Sequence, residues 1–232
     1  MTVHGLRGSA AARRDIIDVG RKLWERGLIS GTDGNLSVRL PNGRILATVS
    51  GVPKGGMTDE HLVEISLDGT MLSRSKWKPS SEIKMHLVAY RQREDVFAVC
   101  HAHPPHATAF AVAGIGMTDC IIPEIIVALG SVPLAPYATP STQEVPDSVA
   151  KYVTGSDAIL LENHGALTLG RNIREAHWRM ESIDHAARII LLARSLGGPN
   201  PISPENVEKL VRTRETLGFT NPAPRCGEPF KA

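Results

Sequence analysis

The chain has little cysteine and uses it without pattern. Cys100, Cys120 and Cys226 are odd in number, and no two stand in a C-x-x-C spacing. This argues against a disulfide framework and against a cysteine zinc knuckle, and three thiols fit a reducing cytoplasm. Surplus charge is lacking too. The formal net charge is +2 with acids and bases interspersed, so there is no basic stripe of the kind nucleic acid demands. The small positive surplus suits a phosphorylated metabolite better. No uninterrupted apolar run approaches the ~20 residues that cross a bilayer. Arg7, Arg13 and Arg14 lie near the N-terminus without the apolar segment a secretory signal would place behind them. The expectation is a soluble, unexported, cytoplasmic chain with no membrane or nucleic-acid partner. Repeats and low-complexity blocks are also missing, and 232 residues that are 42% hydrophobic can bury one full core. A single domain, 1–232, is expected, with a Pro-rich tail over 221–232 that carries no core pattern.

What the chain does have is histidine in informative places. The apolar run Phe97-Ala98-Val99-Cys100 ends in His101-Ala102-His103. Residues two apart on a strand share a face, so both imidazoles aim at one point. A second apolar run, Ala158-Ile159-Leu160-Leu161, ends in Glu162-Asn163-His164-Gly165, where Gly165 is expected to let the chain turn. Pro79-Ser80-Ser81-Glu82 opens an apolar-periodic stretch and supplies a carboxylate. A His-x-His pair alone also suits histidines that merely bond neighbouring loops. Three such segments together supply the ligands that a borderline divalent metal prefers.

Periodicity gives the surrounding elements. Ile16, Ile17, Val19, Leu23 and Trp24 predict a helix over 13–27 that stops at Gly27. Asn42-Gly43 predicts a hairpin between strands 36–40 and 44–49, and Asp68-Gly69 a second one between 62–67 and 70–72. A helix capped by Ser80 or Ser81 is expected to hold Glu82 in its first turn and to end near 93–95. Further on, the pattern predicts a strand at 96–100, a short helix over 106–113, strand-like 132–134, a helix over 142–153, a strand from Ala158, and a long helix over 173–196. Hairpins interleaved with helices suggest an α/β chain whose mixed, largely antiparallel sheet is covered on both faces. Trp24, Trp77 and Trp178 read as packing anchors. His4, His61, His86, His177 and His185 read as surface or core-edge residues, and His106 stays open.

Taken in order and spacing, Gly31-Thr32-Asp33-Gly34-Asn35-Leu36-Ser37, Pro79-Ser80-Ser81-Glu82, His101-Ala102-His103 and Glu162-Asn163-His164-Gly165 resemble the class II aldolase/adducin family, over about residues 10–196. The motifs are most similar to those of its zinc-dependent L-fuculose-1-phosphate aldolases. The resemblance implies a three-layer α-β-α sandwich, with Zn²⁺ on His101, His103 and His164 and Glu82 as acid/base. It also implies phosphate contacts from Asn35, Ser50, Gly51, Ser80 and Ser81. The implied reaction is reversible cleavage of a short ketose 1-phosphate to dihydroxyacetone phosphate and an aldehyde, through an enediolate. Epimerases of the family place Asp where this chain has Glu82, and dehydratases keep a carboxylate at the Glu124 position, so both stay as alternatives. An adducin-type head domain without metal is a third. Two departures stand out. Asp33 occupies a loop position where many aldolases are expected to have a small neutral residue. Glu124 stands where fuculose phosphate aldolases offer a tyrosine, and reads either as a second acid/base or as a helix-start acid. The resemblance further implies a homotetramer with active sites at subunit contacts. Pro133-Leu134-Ala135-Pro136-Tyr137 is then expected to order against a neighbour, and Arg214, Arg225 or Phe230 to reach an adjacent site.

Overall fold

The apolar periodicity of the first half of the chain is realised almost residue by residue. The computed structural model describes residues 8–219 and Cys226. In chain order the elements are α1 (Ser9–Glu25), β1 (Asn35–Arg39), β2 (Ile45–Thr48), β3 (Leu62–Ile65), α2 (Ile83–Gln92), β4 (Ala98–Ala102), α3 (Pro105–Val112) and α4 (Pro123–Ala128), then β5 (Leu134–Ala135), α5 (Glu144–Val153), β6 (Ala158–Leu161), β7 (Gly165–Gly170), α6 (Ile173–Ser195) and α7 (Pro204–Thr216). In α1, Ile16, Val19 and Leu23 are buried, and Gly27 takes the left-handed conformation just past the helix end. Trp24 and Trp178, expected to anchor the core, are instead 54% and 62% exposed; Trp77 does pack on it. The hairpin through Asn42-Gly43 joins β1 to β2, with Val38 opposite Leu46. The second expected hairpin shrinks to a single bridge between Ile65 and Met71, its turn at 66–70 closed by the Ser66 N–H donating to the Thr70 carbonyl and by the Ser66 and Asp68 side chains.

Seven strands form one sheet in the order β3-β2-β1-β4-β7-β6-β5, antiparallel throughout except for the β5–β6 pair. Helices α1, α3 and α6 cover one face and build a core with Leu36, Leu46, Cys100, Leu160 and Ala166. The other face packs α2 and α5 on Ile45, Val99, Ile159, Leu167 and Leu169. This is the expected three-layer α-β-α sandwich. Burial on both faces also explains why β7 left no alternating signal in Gly-Ala-Leu-Thr-Leu-Gly: all six residues are buried.

Three expectations are corrected. Cys120 and Cys226 are joined in a disulfide, their Cα atoms 5.2 Å apart, although 106 residues separate them in sequence and no spacing rule could pair them. Cys100 stays a buried free thiol. Leu134 and Ala135 form β5 within this chain's own sheet, with Ala135 fully buried, so 133–135 does not wait for a neighbour; Pro136 and Tyr137 stand exposed. Arg214 is 1% exposed, donates to the Val127 carbonyl and packs its guanidinium over Phe219, which removes it as a residue reaching out to another subunit. Arg225, Phe230 and the rest of the 221–232 tail, Cys226 apart, lie outside the described residues. Among the described residues no helix is long and apolar enough to cross a membrane.

Candidate active site

Strand alternation decides which side of the sheet carries the chemistry. Along β4, Ala98, Cys100 and Ala102 pack into the α1/α3/α6 core, so Val99 and His101 point the other way, toward α2. His103 follows at the strand end with the same parity. Asn35 on β1 is the register partner of His101, which sets its side chain beside the imidazole. The β6–β7 turn delivers His164. The residue that turns the chain there is Asn163, left-handed at φ +56, and not Gly165 as expected. Gly165 is required for space: a Cβ there would stand 2.6 Å from His103 Cδ2 and 2.6 Å from the Ala102 carbonyl.

The three histidines face one another edge to face, with ring centroids 4.8–4.9 Å apart. Each offers one ligand atom, all within 4.8 Å of one another. The Nδ1 of His101 lies 3.0 Å from the Ala166 carbonyl, which can only accept, so that nitrogen carries a proton and Nε2 is the nitrogen turned toward Glu82 and His103. His101 Nε2 and His103 Nε2 are 3.1 Å apart. Burial, with the neighbouring His101 and His164, pushes His103 down to about 3, so it stays a neutral donor.

Glu82 closes the group. It is the N-cap residue of α2, one position before the first turn it was expected to occupy, and Ser80 accepts its backbone N–H instead of capping Ile83. Its Oε2 lies 3.4 Å from His101 Nε2, and its Oε1 3.1 Å from His164 Nε2. Oε1 is buried yet not aligned for a hydrogen bond, whereas Oε2 accepts from Asn35 Nδ2 at 2.9 Å. Burial alone would raise this carboxyl; the facing His101 and His164 outweigh it and hold it well below the usual carboxylate range. Three imidazoles with converging nitrogens, two nitrogens facing at 3.1 Å, and a buried carboxylate oxygen without a donor fit a divalent cation of the zinc type.

A bridge between Val49 and Pro79 brings Ser50-Gly51 alongside Ser80-Ser81. Ser50 Oγ donates to the Pro79 carbonyl, Ser81 accepts from Ser141, and Gly51 is left-handed at φ +74. Asn35, expected at phosphate, is 3% exposed and commits Nδ2 to Glu82. Glu124 sits exposed in the first turn of α4, and among the described residues it has no hydrogen bond or ion pair, so the structure does not join it to the histidines. His106 is claimed by Asp184, which accepts from its backbone N–H and Nδ1 and from the Ala107 N–H, capping α3 from α6.

Sequence reasoning missed two residues beside the site. His86, read as a surface or core-edge position, is fully buried one turn beyond Glu82; its Nδ1 lies 2.7 Å from Ser37 Oγ, which also meets Tyr90 OH at 2.8 Å. The i, i+4, i+8 spacing of Glu82, His86 and Tyr90 was a visible signal. Lys54 is 2% exposed, its ammonium donating to the carbonyls of Thr32 and Val52; burial takes it down to about 8, partly offset by Asp33 and Glu82. Nothing in Pro53-Lys54-Gly55 announced that burial.

Comparison with known proteins agrees with this geometry. The model of the Class II Aldolase and Adducin N-terminal domain matches residues 14–191. The 3-oxo-tetronate 4-phosphate decarboxylase of Pectobacterium atrosepticum is 33% identical over 195 residues, covering 82% of this chain and 88% of its own. The 5-deoxy-D-ribulose 1-phosphate aldolase of Bacillus thuringiensis is 33% identical over 208 residues, covering 89% and 96%. Among solved structures, an L-fuculose 1-phosphate aldolase superposes with a TM-score of 0.82 at 31% identity, covering 91% of this chain and 99% of its own.

Proposed function

The chain belongs to the class II aldolase and adducin family, and from that premise we propose that it is a zinc-dependent aldehyde-lyase cleaving a short ketose 1-phosphate of the L-fuculose 1-phosphate type. The observation that carries the reading is Glu82, whose two carboxylate oxygens are turned onto His101 Nε2 and His164 Nε2. His101, His103 and His164 would hold the cation. Zinc bound there would supply Lewis acidity toward the substrate carbonyl and so favour charge on its oxygen. Glu82, held ionised by the facing His101 and His164 and oriented by Asn35, takes the proton from dihydroxyacetone phosphate in synthesis. In cleavage the hydroxyl on the carbon beyond the breaking bond gives its proton to Glu82 as that fragment departs as an aldehyde, the C–C bond leaves its electron pair on the enediolate carbon, and Glu82 then delivers the proton there. Ser50, Gly51, Ser80 and Ser81, small and hydroxylated at the α2 entrance, suit the phosphate. Glu124 gains no support from the geometry for a second proton transfer.

A second reading has a specific observation behind it, the decarboxylase among the relatives. Loss of carbon dioxide from a 3-oxo acid phosphate also leaves an electron pair on the carbon beside the ketone, and Glu82 would relay a proton from solvent to it. The zinc-loaded enzyme should release dihydroxyacetone phosphate and an aldehyde from one or more ketose 1-phosphates in a panel. Release from a 3-oxo-tetronate phosphate alone would transfer the assignment to decarboxylation. A homotetramer with interfacial sites belongs to the same proposal, supported by the exposed Trp178, Leu192 and Leu196 along α6; a fully active monomer in sedimentation would remove it.

A further inference from the structure

His103 is the least enclosed of the three candidate ligands, yet its ring is confined along both edges. The Cδ2 edge lies against Gly165. The opposite edge carries Nδ1, and the group facing it is the carboxylate of Asp33, with Oδ2 at 3.6 Å. At that distance no hydrogen bond is closed, but the carboxylate oxygen is the acceptor that a proton on Nδ1 faces. For His101 the same task falls to the Ala166 carbonyl. Among the described residues no backbone carbonyl pairs with Nδ1 of His103.

The Asp33 loop is itself braced. The Lys54 ammonium donates to the carbonyl of Thr32 at 2.9 Å and of Val52 at 2.8 Å, tying the residue before Asp33 to the neighbouring segment, while the Asp33 N–H closes a turn onto Ser30. The Asp33 side chain is 47% exposed, so it stays in contact with solvent.

We propose that Asp33 is a positioning residue for His103, its carboxylate fixing the ring so that the Nε2 lone pair points at the nitrogens of His101 and His164. The inference rests on the metal-site reading above. It also accounts for an acid in a loop where a charge facing phosphate would repel substrate: the carboxylate is directed to the ligand instead. Metal-ligating histidines commonly use their second nitrogen in this way, and loss of the partner weakens metal binding about 10–100-fold.

The test is competition for Zn²⁺ between a chromophoric chelator and the full-length chain as wild type, Asp33→Ala and Asp33→Asn, each stripped of metal beforehand. Asp33→Ala should bind zinc about 10–100-fold more weakly, and Asp33→Asn, whose amide oxygen offers Nδ1–H an acceptor in the same place, should recover most of that loss. Thermal unfolding of the metal-free forms should show at most a small loss of stability, shared by both variants, because the Asp33 charge also favours the buried Lys54 ammonium. Equal affinity of wild type and Asp33→Ala overturns the proposal. So does an equal loss in both variants, which would make the effect one of nearby charge rather than a held imidazole. A wild-type chain that takes up no zinc would remove the metal reading itself and this inference with it, whereas zinc uptake with no Asp33 dependence would leave that reading intact.

Discussion

One methyl group on the far side of a histidine ring should disable the site. An Ala at 165 would place its Cβ 2.6 Å from both His103 Cδ2 and the Ala102 carbonyl, and neither the β4 backbone nor the crowded ring can retreat. Gly165→Ala should therefore lose most of its bound zinc, read as metal per chain, while circular dichroism shows the sheet retained. Glu82→Gln separates holding from proton transfer. The amide is nearly isosteric and can still meet Asn35, but it cannot accept the proton, so exchange of the dihydroxyacetone phosphate C–H with solvent should fall by several orders of magnitude while much of the zinc is kept. Wild-type exchange would make Glu82 structural. At this scale the sequence was largely legible. His101, His103, His164 and Glu82 were all visible, because strand parity and the motif order fix where they point. Gly165 was visible for the wrong reason, as a turn former. Lys54 was invisible, since its burial depends on two carbonyls that only the folded loops bring to its ammonium.

Between β1 and α2 a polar ladder runs back from the site: Asn35 to Glu82, Ser37 to His86 and Tyr90, and the Arg39 guanidinium over the Tyr90 ring. The alternate residues of a strand face every fourth residue of a helix, so the two periods meet along one seam. His86 is its vulnerable rung. Its Nε2 is buried without a partner, and burial pushes its pKa down to about 3. The unfolded chain takes that proton near pH 6.5 and the folded chain only near 3, so between those values the unfolded state binds more protons and stability falls as pH falls. The slope from this group is at most about 1.4 kcal/mol per pH unit. Urea unfolding of the metal-free protein at pH 7, 5.5 and 4 should show a shallower acid loss for His86→Gln than for wild type. Parallel slopes would mean that His86 titrates normally. Among the elements, those with a clear apolar period were found within a few residues of their ends. Those missed carry no such period: β7 is buried on both faces, α4 has six residues, and α7 buries only Val207 and Arg214 along a polar helix.

For the molecule as a whole, the sheet separates two cores, and the chemistry occupies one edge of the α2/α5 side while α4 and α7 form an annex on the other. The three-layer plan was readable because hairpin signals and helical periods alternate along the chain. The annex was not, because a cluster of Cys120, Ile126 and Val207 joins residues far apart in sequence. The bond from Cys120 to Cys226 makes the chain between them a covalent ring that contains β5, α5, β6, His164, β7, α6 and α7. A protease that cuts once within that ring, for instance in the exposed 197–200 segment, opens it without releasing anything. The nicked protein should run as one band on a denaturing gel without thiol, and as two when thiol is added. Two bands in the absence of thiol would mean the ring was never closed.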